Sequence, residues 1–242
     1  MDLPSLDSID FHYTSIGPIA HFFGYVMVPG LQELSIFLSA PPVSEVDRST
    51  EVQDWNKFFS GVGIATSANF KKLKINGIRS DHELWEGIGL TVSGFPDLSK
   101  LSLESFSTTL PFLSCLTRND LGAIIRSWPY LSTLALSSCR PSKLDLKALV
   151  DIAIGLPHLK SLALPVDSQQ HFGLTIPSLA HNLQYLSLDI SAPMLKFKFK
   201  LVQLINRIFP YLKNSTFHGL GYLSEDVTSL VQSARDELQH SP

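Results

Sequence analysis

The sequence predicts an α/β solenoid, in which about eight parallel strands line a concave face and helices lie on the convex face. Three observations lead to this prediction. A short apolar phrase, clearest at residues 128–136 (WPYLSTLAL), occurs eight times in the 242 residues. Its copies follow one another at steps of 24 to 39 residues, a period typical of stacked repeats. Several of the segments between the copies have the apolar spacing of helices.

The repeated phrase has the leucine-rich-repeat pattern L-x-x-L-x-L, usually with a proline two places before the first leucine. Its fourth and sixth positions are apolar and alternate with other residues, as a short strand with one buried face requires. No single copy can bury its apolar side chains alone, so neighbouring copies must stack in chain order. The eight copies begin at Leu6, Leu31, Phe70, Leu98, Leu131, Leu159, Leu183 and Leu212.

Helical spacing is evident in three segments between the copies and weaker in a fourth. The long step of 39 residues contains segment 39–54, which is rich in proline, serine and acidic residues and predicts a surface loop. A last segment, about 224–239, predicts a helix that closes the C-terminal end. The four apolar stripes are Leu121, Ile124, Ile125 and Trp128; Leu146, Leu149, Val150, Ala153 and Ile154; Leu201, Leu204, Ile205 and Ile208; and the weaker Leu84, Ile88 and Val92.

Composition indicates one globular domain over residues 1–242, with 44% hydrophobic and 17% charged residues. A net charge of −3 gives no reason to expect nucleic acid or an anionic membrane as the main partner. The longest apolar run, 19–28, is too short to span a bilayer, and the first residues lack the features of a signal peptide. Two cysteines, Cys115 and Cys139, favour a reducing compartment. We therefore expect a cytoplasmic or nuclear protein.

The sequence contains no complete catalytic or metal-binding motif. The glycine pairs at 61/63, 87/89 and 219/221 each lack the third glycine of a dinucleotide-binding fingerprint. The histidines have no metal-ligand spacing, and His171 and His181 are expected to be structural or solvent-exposed. Cys139 follows a repeat at a position that suits a small, semi-buried residue better than a nucleophile. We expect no enzymatic activity, no cofactor and no metal.

The extended form L-x-x-L-x-L-x-x-C occurs once in full, from Leu131 to Cys139. Together with the variable repeat length and the helical outer segments, it resembles the cysteine-containing leucine-rich repeats of F-box proteins, especially the fungal F-box/leucine-rich-repeat set. The resemblance implies a protein-interaction module that recognises substrates for an SCF-type (cullin-RING) ubiquitin ligase. No stretch of the sequence resembles the F-box itself, so the ligase adaptor is an expected partner only if an F-box lies upstream.

Two alternatives to the ligase interpretation stay open. One is an intracellular leucine-rich-repeat scaffold or adaptor unrelated to ubiquitin. The other is a secreted receptor module, which the glycosylation sequon at Asn214 favours and the missing signal peptide opposes. The first consensus leucine, Leu6, leaves no room for a polar cap. We therefore expect a truncated relative of a longer protein, with Leu6, Ile9 and Phe11 poorly covered and prone to self-association or fraying.

The third, fifth and seventh positions of each copy should face the concave side, because strand residues alternate. Lys72 and Lys100 should then be neighbours near the strand spacing of about 4.8 Å, with Lys74 beside them. Such a cluster suits an acidic partner segment; the alternative is that the lysines are simply solvated, near Glu104. The candidate partner-binding residues are Lys72, Lys74, Lys100, Glu104, Glu33, Phe37, Tyr185 and Asp189.

Overall fold

A computed structural model describes residues 1–39, 48–66, 68–77, 95–110, 116–136, 144–167, 178–190, 198–218, 229 and 231–233. These residues form an α/β structure around one open parallel sheet. The strands are β1 (Ser8–Tyr13), β2 (Glu33–Leu38), β3 (Lys72–Gly77), β4 (Ser105–Thr108), β5 (Thr133–Leu136), β6 (Ser161–Val166), β7 (Tyr185–Ile190) and β8 (Asn214–His218). The helices are α1 (Gly17–Tyr25), α2 (Arg48–Ala65), α3 (Arg118–Ser127), α4 (Lys147–Gly155) and α5 (Lys198–Ile208).

The order of the strands across the sheet is their order along the chain, from β1 to β8, and every neighbouring pair is parallel. Seven of the eight strands overlap the predicted copies of the phrase. The register aligns equivalent positions of successive copies: Leu34 pairs with Leu73, and Leu134 pairs with Leu162. The prediction of eight parallel strands in chain order is confirmed.

The predicted strand after Leu98 is wrong in position. Leu98–Lys100 is a short 3-10 helix, and β4 begins only at Ser105. Here the three apolar positions of the pattern L-x-x-L-x-L are occupied by Leu103, Phe106 and Thr108. Thr108 is polar although it is fully buried. The Thr108 hydroxyl accepts a hydrogen bond from the Leu110 backbone N–H at 3.1 Å. Because this bond satisfies the buried oxygen, a threonine takes the place at which the pattern requires an apolar residue.

Alternate side chains of the strands are buried, and those between them are mostly half-buried or exposed. The burial pattern of β5 and of β4 alternates strictly, and that of β3 begins in the same way. Buried strand residues and the apolar sides of the helices form one continuous core. One face of the sheet therefore packs against the core, and the other carries the more accessible side chains.

Three predicted helices are confirmed as α3, α4 and α5. Helix α3 begins with a capping box, in which the Thr117 hydroxyl accepts from the Asp120 N–H and the Asp120 carboxylate accepts from the Thr117 N–H. The fourth stripe, at 84–92, lies outside the described residues. Of the predicted C-terminal helix at 224–239, only residues 229 and 231–233 are described, and they are helical.

Helix α2 corrects the predicted loop over 39–54, since it begins at Arg48. Residues 40–47 of that loop lie outside the described part of the chain. The stripe that forms the buried side of α2 consists of Trp55, Phe58, Phe59 and Val62, all fully buried. Its spacing is helical, but this stripe is not among the four on which the prediction of helices was based. Helix α1, which packs against α2, was not predicted either.

The edge strand β1 is less well covered than the strands inside the sheet. Leu6, Ile9 and Phe11 are only partly buried, whereas Leu34 and Ile36 on the neighbouring strand are fully buried. This confirms that the first copy has less apolar cover than the others. Fraying and self-association at this edge stay predictions.

Candidate partner-binding face

The accessible side of the sheet, here called the open face, is built from two complete rows of aligned side chains. Each row crosses all eight strands, one residue per strand, because the parallel register is continuous. The first row is Ser8, Glu33, Lys72, Ser105, Thr133, Ser161, Tyr185 and Asn214. The second row is Asp10, Ser35, Lys74, Ser107, Ala135, Ala163, Ser187 and Thr216.

The open face of β1 to β3 holds an interacting group of charged and aromatic side chains. Lys72 Nζ lies 3.1 Å from the Glu33 carboxylate on the next strand. The rings of His12 and Phe37 stack at 4.6 Å with an interplanar angle of 10°. The Lys74 ammonium lies 5.7 Å from the centroid of the Phe37 ring, within the range of a cation–π contact. Four of the predicted binding residues (Glu33, Phe37, Lys72 and Lys74) therefore come together here.

The predicted lysine cluster is wrong because Lys100 does not reach the open face. The strand beside Lys72 presents Ser105 instead, following the shift of β4. Lys100 belongs to the 3-10 helix and pairs with Asp97 at 2.6 Å. Of the lysines expected in the cluster, only Lys74 has no ion pair with a described carboxylate.

Glu104 is also displaced from the open face. It directly precedes β4, at the edge of the sheet where the strands begin, and it is exposed. Its carboxylate pairs with Lys71 at 2.9 Å. The pairing is with the lysine before β3, and not with the lysines on that strand.

The open face of β5 and β6 is formed by small side chains. Thr133, Ala135, Ser161 and Ala163 are half-buried there, and none of them carries a charge or a ring. The predicted residues Tyr185 and Asp189 lie on β7, at the next strand along. Tyr185 is 47% exposed. The face therefore consists of a charged and aromatic part, a shallow part, and a tyrosine beyond it.

His181 was expected to be structural or solvent-exposed, and it is structural. The imidazole is buried, with Nε2 at 2.9 Å from the Leu156 carbonyl oxygen. The Leu183 backbone N–H donates to Nδ1 at 3.1 Å. These two contacts require a neutral ring with its proton on Nε2. The side chain connects the ends of two repeats and takes no part in the open face.

The remaining sequence candidates give no second chemical site within the described part of the chain. Gly61 and Gly63 lie inside α2, where a Cβ on Gly61 would be 3.0 Å from Phe23 Cβ, so Gly61 permits close packing of α1 on α2. The described residues contain no group of three potential metal ligands. No helix among them has the length and hydropathy needed to cross a bilayer. His171, Cys115, Cys139 and the other glycine pairs lie outside the described residues.

In comparisons with known proteins, no protein-family model matches the sequence and no curated protein matches it.

Proposed function

We propose that the chain is a leucine-rich-repeat solenoid that binds another protein on its open face. The feature that supports this most strongly is a parallel sheet in strict chain order with one accessible face. In a doubly wound α/β sheet, helices cover both faces and the strands are continuous apolar runs. Strands β4, β5 and β7 alternate between buried and more accessible residues, and the order of the strands does not reverse at any point where a nucleotide would bind.

The shape of the open face suits an extended partner segment. Small, half-buried side chains on β5 and β6 form a shallow strip across the open face. Larger groups flank the strip, with Lys74 and Phe37 on one side and Tyr185 on the other. Tyrosine and aromatic side chains often contribute most to binding when a partner buries them. A segment lying across the strands would contact both flanks at once.

By the resemblance in its repeats, we further propose that this partner is a substrate of an SCF-type ubiquitin ligase. In this role the chain supplies substrate recognition, and an F-box elsewhere in the full gene product docks the adaptor. The competing proposal is an intracellular scaffold with the same open face and no link to ubiquitin. A secreted receptor module is the third. All three use the same surface, so the location of binding and the identity of the complex are tested separately.

Site-specific photo-crosslinking tests the location of binding. A benzoyl-phenylalanine at Ala135 places the reactive group in the shallow strip. The same residue at Ile154, which is 64% exposed on helix α4, is the matched control. We expect a discrete adduct in cells from position 135 and none of the same mass from position 154. The same adduct from position 154 alone would contradict binding through the open face.

The identity of the complex is tested by capture of the full-length gene product. If the chain belongs to a ubiquitin ligase, the cullin adaptor should be recovered with it. The partner identified by crosslinking should also carry less ubiquitin in cells from which the gene has been deleted. A crosslinked partner without adaptor and without a change in its ubiquitin supports the scaffold.

A further inference from the structure

A second surface lies at the edge of the sheet where β6 to β8 begin, away from the open face. It is a recess of about 610 Å³. We call it the edge recess and define it by His158, Lys160, Asn182, Gln184, Tyr211 and Lys213. These residues directly precede the strands or belong to the turns that lead into them. None of them is among the candidate binding residues of the sequence.

The charge of the edge recess is positive on a chain whose net charge is −3. Its lining includes two ammonium groups and no carboxylate. Neither Lys160 nor Lys213 takes part in an ion pair with a described residue. At the equivalent position before β3, Lys71 pairs with Glu104 at 2.9 Å. Among the described residues, Lys71 before β3 is therefore neutralised by an ion pair, whereas Lys160 before β6 and Lys213 before β8 are not.

Three backbone N–H groups of the edge recess, those of Lys160, Gln184 and Lys213, already donate hydrogen bonds within the chain. Lys160 N–H donates to the Ser132 carbonyl, Gln184 N–H to the Lys160 carbonyl, and Lys213 N–H to the Gln184 carbonyl, at 2.8 to 2.9 Å. A ligand would therefore be held by the side chains, of which the two lysines are the strongest donors. The backbone bonds also fix the spacing of the lysines, since they tie the three chain segments side by side.

Aromatic groups next to the lysines favour a peptide over a bare anion. Tyr211, in the wall, is 59% exposed. Tyr130, which is 71% exposed, stacks on His158 with ring centroids 5.8 Å apart. Tyrosine is enriched at surfaces that bind other proteins. They offer apolar contact to the carbon atoms between the anionic groups.

From these observations we propose that the edge recess binds an acidic segment of a partner protein. Lys160 and Lys213 precede strands that are two apart, which corresponds to about 10 Å at the usual strand spacing. An extended peptide advances by roughly 3.3 Å per residue. The segment would therefore place aspartate or glutamate side chains about three positions apart. This proposal does not depend on the open face, because no residue of that face lines the recess.

Fluorescence polarisation with a labelled hexaglutamate peptide tests the proposal, with hexaglutamine as the uncharged probe. We expect the native chain to bind hexaglutamate and not hexaglutamine at low ionic strength, and expect added salt to weaken the binding. The Lys160→Glu, Lys213→Glu double variant should bind about tenfold more weakly, from roughly threefold per exposed ion pair. The Lys160→Ala, Lys213→Ala double variant should lose slightly less affinity for hexaglutamate. Both double variants should keep the native melting temperature.

The matched control is Lys57→Glu, Lys147→Glu, which makes the same change in net charge on helices α2 and α4, outside the recess. It should bind hexaglutamate nearly as well as the native chain. An equal loss in both double variants would show a nonspecific charge effect and overturn the proposal, as would equal binding of the two peptides. Crosslinking from position 135 should be unaffected by the recess variants. A negative result for the edge recess can therefore be told apart from a negative result for binding on the open face.

Discussion

The two ends of the sheet have the same strand geometry and different surfaces. On β1 to β4 and their leading edge, two lysines are neutralised within the chain, Lys72 by Glu33 and Lys71 by Glu104, while Lys74 contacts the Phe37 ring. On β5 to β8, the open face is small and neutral over two strands, and Lys160 and Lys213 at the edge have no ion-pair partner among the described residues. Because the backbone is equivalent at both ends, these differences come from the side chains alone.

The layers beneath the two ends differ as well. Beneath β1 to β4 the helical layer is aromatic. The ring centroids of Trp55, Phe58 and Phe59 are 5.0 to 5.7 Å apart, and the ring centroid of Phe95 is 4.9 Å from that of Phe59. Helix α4, beneath the later strands, buries only aliphatic side chains. The first half therefore has the larger cluster of buried aromatic rings, while Trp128 and Phe209 are the large aromatic side chains fully buried in the described part of the second half. The shallow strip of the open face and the edge recess both lie in the second half.

The largest effect is expected from truncation within the aromatic cluster. Phe58→Ala should lower the free energy of unfolding by about 3–5 kcal/mol, since Phe58 is fully buried and contacts three other rings. Leu164→Ala, at a fully buried position on β6, should cost about 2–4 kcal/mol. Denaturant unfolding gives both values. Hydrogen exchange should show that Phe58→Ala exposes β1 to β3 more than β6 to β8, and uniform exposure would mean that the halves unfold together.

The strand positions were largely predictable because the repeated phrase encodes a local requirement. Two apolar residues separated by one position, after a leucine three places earlier, specify a strand with one buried face wherever they occur in a solvated chain. The exception, at Leu98, follows the same rule. A second possible unit begins five residues later, at Leu103, and its buried Thr108 is satisfied by a hydrogen bond that the pattern does not contain.

The candidate site was less predictable because it depends on contacts between repeats. Strand alternation identified Glu33, Phe37, Lys72 and Lys74 as residues of one face, and they do lie together. Ion pairing across strands decides which of these charges stays available, and pairing requires the register. The lysines of the edge recess occupy the second position of the phrase, which strand alternation does not single out. A comparison of that position across all copies would have found Lys71, Lys160 and Lys213.

A smaller effect is expected at the glycines of the helical layer, and it should differ between the two halves. At Gly155, the end of α4, an added Cβ would lie 2.4 Å from Ile125 Cγ2. Gly155→Ala should therefore destabilise the chain by about 1–2 kcal/mol, as overpacking forces α3 and α4 apart. At Gly24 in α1 nothing lies within 4 Å of an added Cβ. Gly24→Ala should be neutral or stabilising by about 0.5 kcal/mol, and thermal unfolding of the pair measures both.

The helix α2 carboxyl group Glu51 should make the stability of the first half depend on pH. Desolvation raises the pKa of Glu51 above its ordinary value of 4.5, as does Asp54, while a hydrogen bond with Trp55 acts against them. A raised pKa means that the folded chain holds the proton more tightly than the unfolded chain. The stability contributed by protonation is present below pH 4.5 and is lost as the pH rises through the folded pKa.

Glu51→Gln removes this dependence and should make the chain slightly more stable than the native protein at neutral pH. The substituted amide keeps an acceptor for the Trp55 contact and carries no charge to desolvate. Melting temperatures of the two proteins should converge below the ordinary glutamate pKa of 4.5. Parallel curves across this range would indicate that Glu51 is solvated in the folded chain.

The smallest effect compares a lysine in an ion pair with one that has no ion pair among the described residues. Lys72→Glu places a carboxylate opposite Glu33 on the next strand, where the native ion pair spans 3.1 Å. Both side chains are substantially exposed, at 59% and 45%. The loss should therefore be only about 0.5–1 kcal/mol, or roughly 2 °C in melting temperature. Lys160→Glu, at the edge recess, removes no ion pair with a described residue and should leave the melting temperature unchanged.

Exchanging the two charges separates pairing from other effects of the substitution. The Lys72→Glu, Glu33→Lys double variant restores opposite charges across β2 and β3 and should recover most of the lost stability. About 1 M salt should reduce the penalty of Lys72→Glu, because exposed charges are screened over a few ångströms at that concentration. A melting temperature for Lys160→Glu as low as that for Lys72→Glu would contradict the difference between the two ends. In that case the lysines of the edge recess would also be neutralised within the chain, and the recess would have no free charge to offer a partner.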